Sequence, residues 1–523
     1  MVALTIPYVM PSEKEAGTEQ PFLLVVAKNI TFTRVDVYIR SLLRITLHNG
    51  FQEQDSMARI QHRISPSLLA VLLLIGGLLT ASQSFANQSS ASPEKEYVSF
   101  ELDNGLQVVV VENHLTPIVT IELAVRNGSF TEGPEYAGLS HLYEHMFFKG
   151  NKNFETSQSF LGYLSRIGAI WNATTREEVV NYYFTLPSMN FEVGMELMAN
   201  TIQTPLFDQQ ELEREREVVL GEFDRHEANP LFAFNRVFDS ITWGANFTRK
   251  EPIGQRPVIK SATPQKMRYI QKKYYIPNNS LLIVAGDVDS ASAHKLAEKY
   301  FLTWERGADP FAEEAPPFPK PLAQKYLVQV PSPIDVVQTQ YQWHGPSVAL
   351  DPKATYAADV LIFILQQNQS RFQRRLVESG LAQGAGFGYY TQHYTGPISV
   401  SVSTTPGKAK EAMKALWNEI QEFDSPDYFS DEELETAKAI LRVDHLYDAE
   451  ETTEWAHTIG FWWSTTGGLD YFRGYLDELS KITREDIQNF VRTYIKGKNY
   501  VLGVSTKAPT LEALGYTPEK VLW

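Results

Sequence analysis

The sequence predicts an α+β protein made of two homologous domains, each a mainly antiparallel sheet covered by helices. Three observations carry that expectation. Strand-like alternation around tight turns is interleaved with long helical periodicity. The chain repeats itself at a nearly constant offset. A proline-rich break separates the two copies.

The first strands lie in YVSFELDNGLQVVVVENHLTPIVTIELAVRNGSF. Apolar and polar residues alternate there around Asp103-Asn104-Gly105, a turn signal that reads as a hairpin followed by a further strand. Helical periodicity takes over from about Gly138 to Phe148, again near 156–167, and strongly from Phe191 to about Glu227. The stretch 307–324, GADPFAEEAPPFPKPLAQ, reads as a semi-rigid linker. Strand-like VVQTQYQWHG follows, and then the rhythm returns.

That rhythm is a duplication. PLFDQQELEREREVVLGEF resembles DYFSDEELETAKAILRVDH, with Phe207 over Phe429 and Leu212 over Leu434, an offset of 222. A second block sets Thr263 over Thr483, Tyr274 over Tyr494 and Asn279 over Asn499, an offset of 220. Two blocks at nearly one offset predict a tandem domain, with a first copy over 97–306 and a second over 325–520.

Bulk properties limit function. A formal net charge of −15 leaves no basic excess to displace counterions, which argues against a nucleic-acid partner. There is no cysteine, so any metal must be held by His, Asp or Glu. From Met57 the chain has Arg59 and Arg63, an apolar run over 68–79, and Ser84-Phe85-Ala86 before Asn87. This is the layout of a secretory signal peptide over 57–86. The run is shorter than the roughly 20 residues that span a bilayer, so no membrane span is expected in the mature chain. Residues 1–56 then read as a mis-called upstream extension, and the expected location is the bacterial periplasm. The alternative is a chain anchored in the membrane through 68–79.

The chemistry concentrates in GLSHLYEHMFFKG, residues 138–150. Residues four apart share a helix face, so His141 and His145 can address one ion, with Glu144 beside them. Eleven histidines in 523 residues make H-x-x-E-H a chance event about 0.03 times over. The competing reading is a packed, hydrogen-bonded histidine pair beside Leu139, Leu142 and Met146. A third ligand would separate the two. In ELEREREVVLGEFDRHE most carboxylates form a solvated face, but Glu222 follows the apolar run Val218-Val219-Leu220 and is expected to turn inward.

His141-x-x-Glu144-His145, followed by 76 residues and then Glu222, resembles the inverted zinc motif of the pitrilysin/insulinase metallopeptidases, which include the mitochondrial processing peptidases. The resemblance continues through Phe148-Lys149-Gly150, Asn172-Ala173-x-Thr175, Tyr182-Tyr183, Glu215 to Val219, and Pro277-Asn278-Asn279 to Gly286-Asp287. It implies one zinc per chain on His141, His145 and Glu222, with Glu144 as general base and Glu215 as a supporting acid behind the ligands. It also implies a clamshell of two domains closing over a peptide substrate. Asn172 resembles a residue near the substrate backbone; the alternative is a turn-forming Asn. In the second copy Glu222 falls over Asp444, Glu215 over Ala437, and the histidine pair near Leu361 to Leu365, so that copy has no zinc set.

Many members carry an Arg and a Tyr seven residues apart in the second domain. Here those positions become Leu376 and Gln383, with Arg374, Arg375, Tyr389 and Tyr390 close enough to compensate for substrate binding. The missing pair implies a partner subunit that supplies it. The function expected is a secreted zinc endopeptidase. The alternative within the family is a non-catalytic assembly subunit.

Overall fold

Asn104 and Gly105 reverse the chain between strands β1 (Val98–Glu101) and β2 (Gln107–Glu112), as the turn signal predicts. Gly105 takes φ +88°, and the Asn104 amide donates to the carbonyls of Phe301 and Trp304, so the turn is also pinned from outside. The computed structural model describes residues 97–523, all within one compact unit, Ala91–Trp523. The expectations for 1–56 and for the signal peptide 57–86 lie outside the described residues.

The first sheet continues with β3 (Ile118–Val125), β4 (Ile170–Thr175), β5 (Val180–Pro187) and β6 (Ser280–Gly286), in the order β1-β2-β6-β3-β5-β4. Only β2 and β6 run parallel; β4 is an edge. The second sheet holds β7 (Tyr326–Pro331), β8 (Val337–His344), β9 (Gly384–Tyr389), β10 (Pro397–Thr404) and β11 (Val501–Thr506), in the order β7-β11-β8-β10-β9. Without β1 the two orders superimpose, including the one parallel pair, β7 with β11. The internal repeat is thus visible in strand order as well as in helix sequence.

Among the helices of the first copy are α1 (Leu139–Phe147), α2 (Phe191–Gln203), α3 (Gln209–Glu227) and α4 (Phe232–Trp243). The single helical stretch expected from Phe191 to Glu227 is therefore two helices. Pro205 has no amide to continue the first, Phe207 adopts φ +50°, and Asp208 caps the second by accepting from the amides of Gln210 and Glu211. The second copy has α5 (Pro352–Gln366), α6 (Asp431–Asp448) and α7 (Thr452–Thr466).

Helices cross between the copies. α4 packs on β7, β11 and β8 of the second sheet, and α7 packs on β3, β6 and β5 of the first. Each crossing needs a glycine where backbone meets side chain. A Cβ on Gly503 of β11 would lie 2.6 Å from Phe234 and 2.7 Å from Phe238. A Cβ on Gly460 of α7 would lie 3.1 Å from Ala124. Strand β6 is buried at every residue because both its faces are covered. Leu282 and Val284 join the core beneath α1, while Leu281, Ile283 and Ala285 join the core of the second copy. Each fully buried aliphatic side chain in such a seam contributes roughly 1.5–3 kcal/mol.

Residues 307–324 form neither helix nor strand. Phe311 packs against Phe130 and Tyr274, and Phe318 against Tyr394, so the proline-rich segment is laid onto the protein surface.

Candidate metal centre

Helix α1 begins at Gly138, which takes φ +95°. No side chain of its own caps it. Instead the buried carboxylate of Glu132 accepts from the amides of Gly138 and Ser140, both at 2.7 Å, and so satisfies two of the helix's free donors. Burial pushes the Glu132 carboxyl up to about 8, against the pull of those amides. Leu139, Leu142, Tyr143, Met146 and Phe147 are buried on one face of α1. That commits His141, Glu144 and His145 to the side facing α3.

On α3, Glu215 and Glu222 are seven residues apart and therefore on one face, turned toward α1. Nε2 of His145 lies 3.3 Å from Nε2 of His141. Oε2 of Glu222 stands 3.5 Å from His145 Nε2 and 3.7 Å from His141 Nε2. All three donor atoms fall within 4.8 Å of one another. Ligands about 2.0–2.1 Å from a tetrahedral zinc stand roughly 3.3 Å apart, so the set has the size zinc requires. It also needs positive charge, because a carboxylate and two imidazole nitrogens converge. Burial lowers His145, but Glu215 and Glu222 outweigh it and raise the imidazole to about 9. Burial and the neighbouring His145 lower His141, and the bond from His145 lowers Glu222. Either a proton or a cation can answer this demand.

The surroundings select one tautomer. Nδ1 of His145 donates to Oε1 of Glu215 at 2.8 Å, which leaves Nε2, the nitrogen on the side of Glu222, as the one available to a metal. Glu215 is itself held by Lys149, at 2.6 Å on the other oxygen. Glu144 is fixed by Thr175, whose Oγ1 donates to Oε2 at 2.7 Å. Burial raises the Glu144 carboxyl above the usual carboxylate range, the Thr175 bond working against it.

The structure therefore brings together His141, Glu144, His145, Glu215 and Glu222. It adds Lys149 and Thr175, both present in the quoted motifs but assigned no role from sequence. Strand alternation was the available signal for Thr175, because it shares a face of β4 with buried Ala173, against α1. Asn172 lies on the opposite face, exposed, beside Tyr183 across the β4–β5 pair.

The four second-copy candidates do not join the set. Tyr389 is a core residue whose hydroxyl donates to the Pro346 carbonyl, which corrects its expected role as a substrate contact. Arg375 pairs with buried Glu419 at 3.0 Å. Tyr390 packs near Phe461, and Arg374 is exposed. Leu376 is buried and Gln383 exposed, so neither restores an Arg/Tyr pair. At the duplicated position α5 packs on α6 through Leu361, Leu365 and Ala437, all within the apolar core.

The description "Insulinase (Peptidase family M16)" matches residues 107–251, and "Peptidase M16 inactive domain" matches 261–441. An uncharacterized zinc protease of Rickettsia felis is 26% identical over 397 residues, covering 74% of this chain and 92% of that protein. The zinc protease PqqE of Helicobacter pylori is 29% identical over 236 residues, 45% of this chain and 51% of its own length. This chain thus spans nearly all of one relative and about half of the other. A protease from Helicobacter pylori has the same fold, with a TM-score of 0.70 at 21% identity, over 79% of this chain and 99% of that one. So does the periplasmic protease PqqL of Escherichia coli, with 0.68 at 18% identity, over 82% of this chain and 49% of that one. With its inverted histidine motif, duplicated sheets and matches to both halves, the chain belongs to the insulinase (M16) family of peptidases.

Proposed function

We propose that this chain is a zinc-dependent endopeptidase that cleaves peptides or unfolded segments. The observation that carries the proposal is the convergence of His141, His145 and Glu222 within zinc distance, beside a carboxylate, Glu144, that none of them uses. Zinc held by these three residues supplies a Lewis acid that acidifies water and polarises a carbonyl. Glu144 then acts as general base and acid: it takes a proton from water and returns it to the leaving amine. Burial raises its carboxyl above the ordinary value, which strengthens it as a proton acceptor. Thr175 holds one carboxylate oxygen, so the proton moves at a fixed place. Glu215, braced by Lys149, keeps His145 in the ligating tautomer.

The open edge of β4 beside this site suits an extended segment, which would add as a strand and use the free backbone groups. Export to a bacterial periplasm fits the segment 57–86, and PqqL, a fold relative, is a periplasmic protease. Among the described residues no helix is long and apolar enough to cross a membrane. The absent Arg/Tyr pair supports a heterodimer in which a partner subunit supplies it.

The test is metal content and cleavage of an unstructured peptide, with Glu144→Gln as the decisive variant. Retained zinc with cleavage lost by at least about 100-fold is expected for removal of a general base. Cleavage at the wild-type rate by Glu144→Gln would overturn the mechanism. Full activity of the chain alone, unchanged by a co-encoded family member, would overturn the heterodimer.

A further inference from the structure

Glu178 lies in the turn joining β4 to β5, three residues after Thr175. Its carboxylate is buried, yet it serves the other copy. One oxygen accepts from the amide of His393 at 2.6 Å and the other from the amide of Tyr394 at 3.3 Å. A buried carboxylate is costly unless its oxygens are bonded, so two amides aimed at one side chain hold turn and loop in a single register. More bonds cross the same seam. Ser464 of α7 donates to the Glu178 carbonyl at 2.5 Å, and Lys250 donates to the side chain of Gln392 and to the carbonyl of Thr395. The His393 ring is tied in turn to the Thr465 carbonyl at 3.0 Å.

The first copy grips the turn from its other side. The Phe130 amide donates to the Glu177 carbonyl at 2.9 Å, and Arg176 bonds Val179 across the turn at 2.9 Å. Gly128, at φ +147°, comes so close that a Cβ would lie 2.3 Å from the Arg176 carbonyl. The residue at the entrance of this clamped turn is Thr175, which holds Glu144. Strand β4 has β5 as its one neighbour in the sheet, so the turn is a principal determinant of where Thr175 sits.

We propose that the second copy, which has no metal ligands, positions the general base of the first. The loop 391–395 holds Glu178, Glu178 holds the β4–β5 turn, and Thr175 at the turn's entrance holds Glu144. Glu178 is thus a positioning residue, 34 places from the base it serves and acting through another side chain. The inference rests on the peptidase reading above.

The experiment uses the full zinc-loaded chain, an end-labelled unstructured peptide, and amide hydrogen exchange. Glu178→Ala should lower kcat about 10–100-fold, the scale of a misplaced catalytic group, with KM within about twofold and zinc content unchanged. Amides of 174–180 should exchange faster in this variant. Glu178→Gln keeps one of the two acceptors and should recover part of the loss; it carries the comparison if the alanine variant does not fold. The control is Thr453→Val, which breaks bonds from α7 to Thr120 and Thr185 without touching the turn. It should leave kcat within about twofold, because the lost bonds lie away from the turn and from the reacting groups and so act on stability. Unchanged kcat and exchange in Glu178→Ala, or an equal loss of kcat in Thr453→Val, would overturn the proposal. A wild-type chain without zinc-dependent cleavage would instead sink the peptidase reading, and exchange at 174–180 would still decide whether Glu178 holds the turn.

Discussion

Nδ1 of His145 and Oε1 of Glu215 lie 2.8 Å apart, and that bond decides which nitrogen of His145 is free for a metal. Glu215→Gln should keep the shape but weaken the acceptor and loosen Lys149. Zinc affinity should fall about 10–100-fold, the usual effect of losing a carboxylate behind a ligating histidine. A competition titration with a chelator measures it. Saturating zinc should restore most of the activity, since Glu144 is untouched.

His457 of α7 is bonded to Glu122 of β3, a fully buried carboxylate that also accepts from Asn181 at 2.8 Å. Burial lowers the imidazole, but Glu122 outweighs it, with Glu454 adding and Arg176 opposing, so the net shift is upward. A raised folded-state pKa means that the stabilisation is fully present below the unfolded value near 6.5 and is lost as pH rises through the folded value. The stability gap between the wild type and His457→Ala should therefore be largest in mild acid and shrink in alkali. Thermal denaturation at a series of pH values checks this; a gap that grows with pH would contradict it.

Gly503→Ala should cost about 1–3 kcal/mol, because its Cβ would sit within 2.7 Å of two buried phenylalanines. Gly460→Ala meets its nearest neighbours at 3.1 Å and should cost less. Denaturant unfolding of both variants gives the order directly.

Expressed alone, residues 97–306 should be insoluble or bind hydrophobic dyes. The segment would leave the face of the first sheet normally covered by α7 open to water, and α4 would have no sheet to pack on. Co-expression with residues 307–523 should restore a soluble complex. A soluble, cooperatively folding 97–306 would show that the crossed helices are dispensable.

The histidine pair was legible because its spacing is local: four residues on a helix return to one face, so His141 and His145 declare themselves without knowledge of the fold. Glu222 and Glu215 lie some 70 residues further on, and it was the resemblance across the quoted motifs that joined them to the pair. The duplication was legible for a similar reason: both copies repeat the residues that end and cap their helices. The break between α2 and α3 was missed because apolar spacing continues across Pro205 while the backbone does not. Tyr389 was misplaced because nearness to Arg374 and Arg375 in sequence says nothing about the face of a strand that turns into the core.

By itself, then, the sequence determined the fold class through periodicity and the internal repeat, and the shared helix face of His141, Glu144 and His145 through local spacing. The family, and with it Glu222 and Glu215, came from the resemblance across the quoted motifs. Tertiary structure alone decided that Lys149 braces Glu215 and that Thr175 holds Glu144. It also decided that each copy places a helix on the other's sheet, and that Glu178 is bonded to a loop more than 200 residues away. Those pairings join groups far apart in the chain, and packing selects them through shape and through the need of every buried polar atom for a partner.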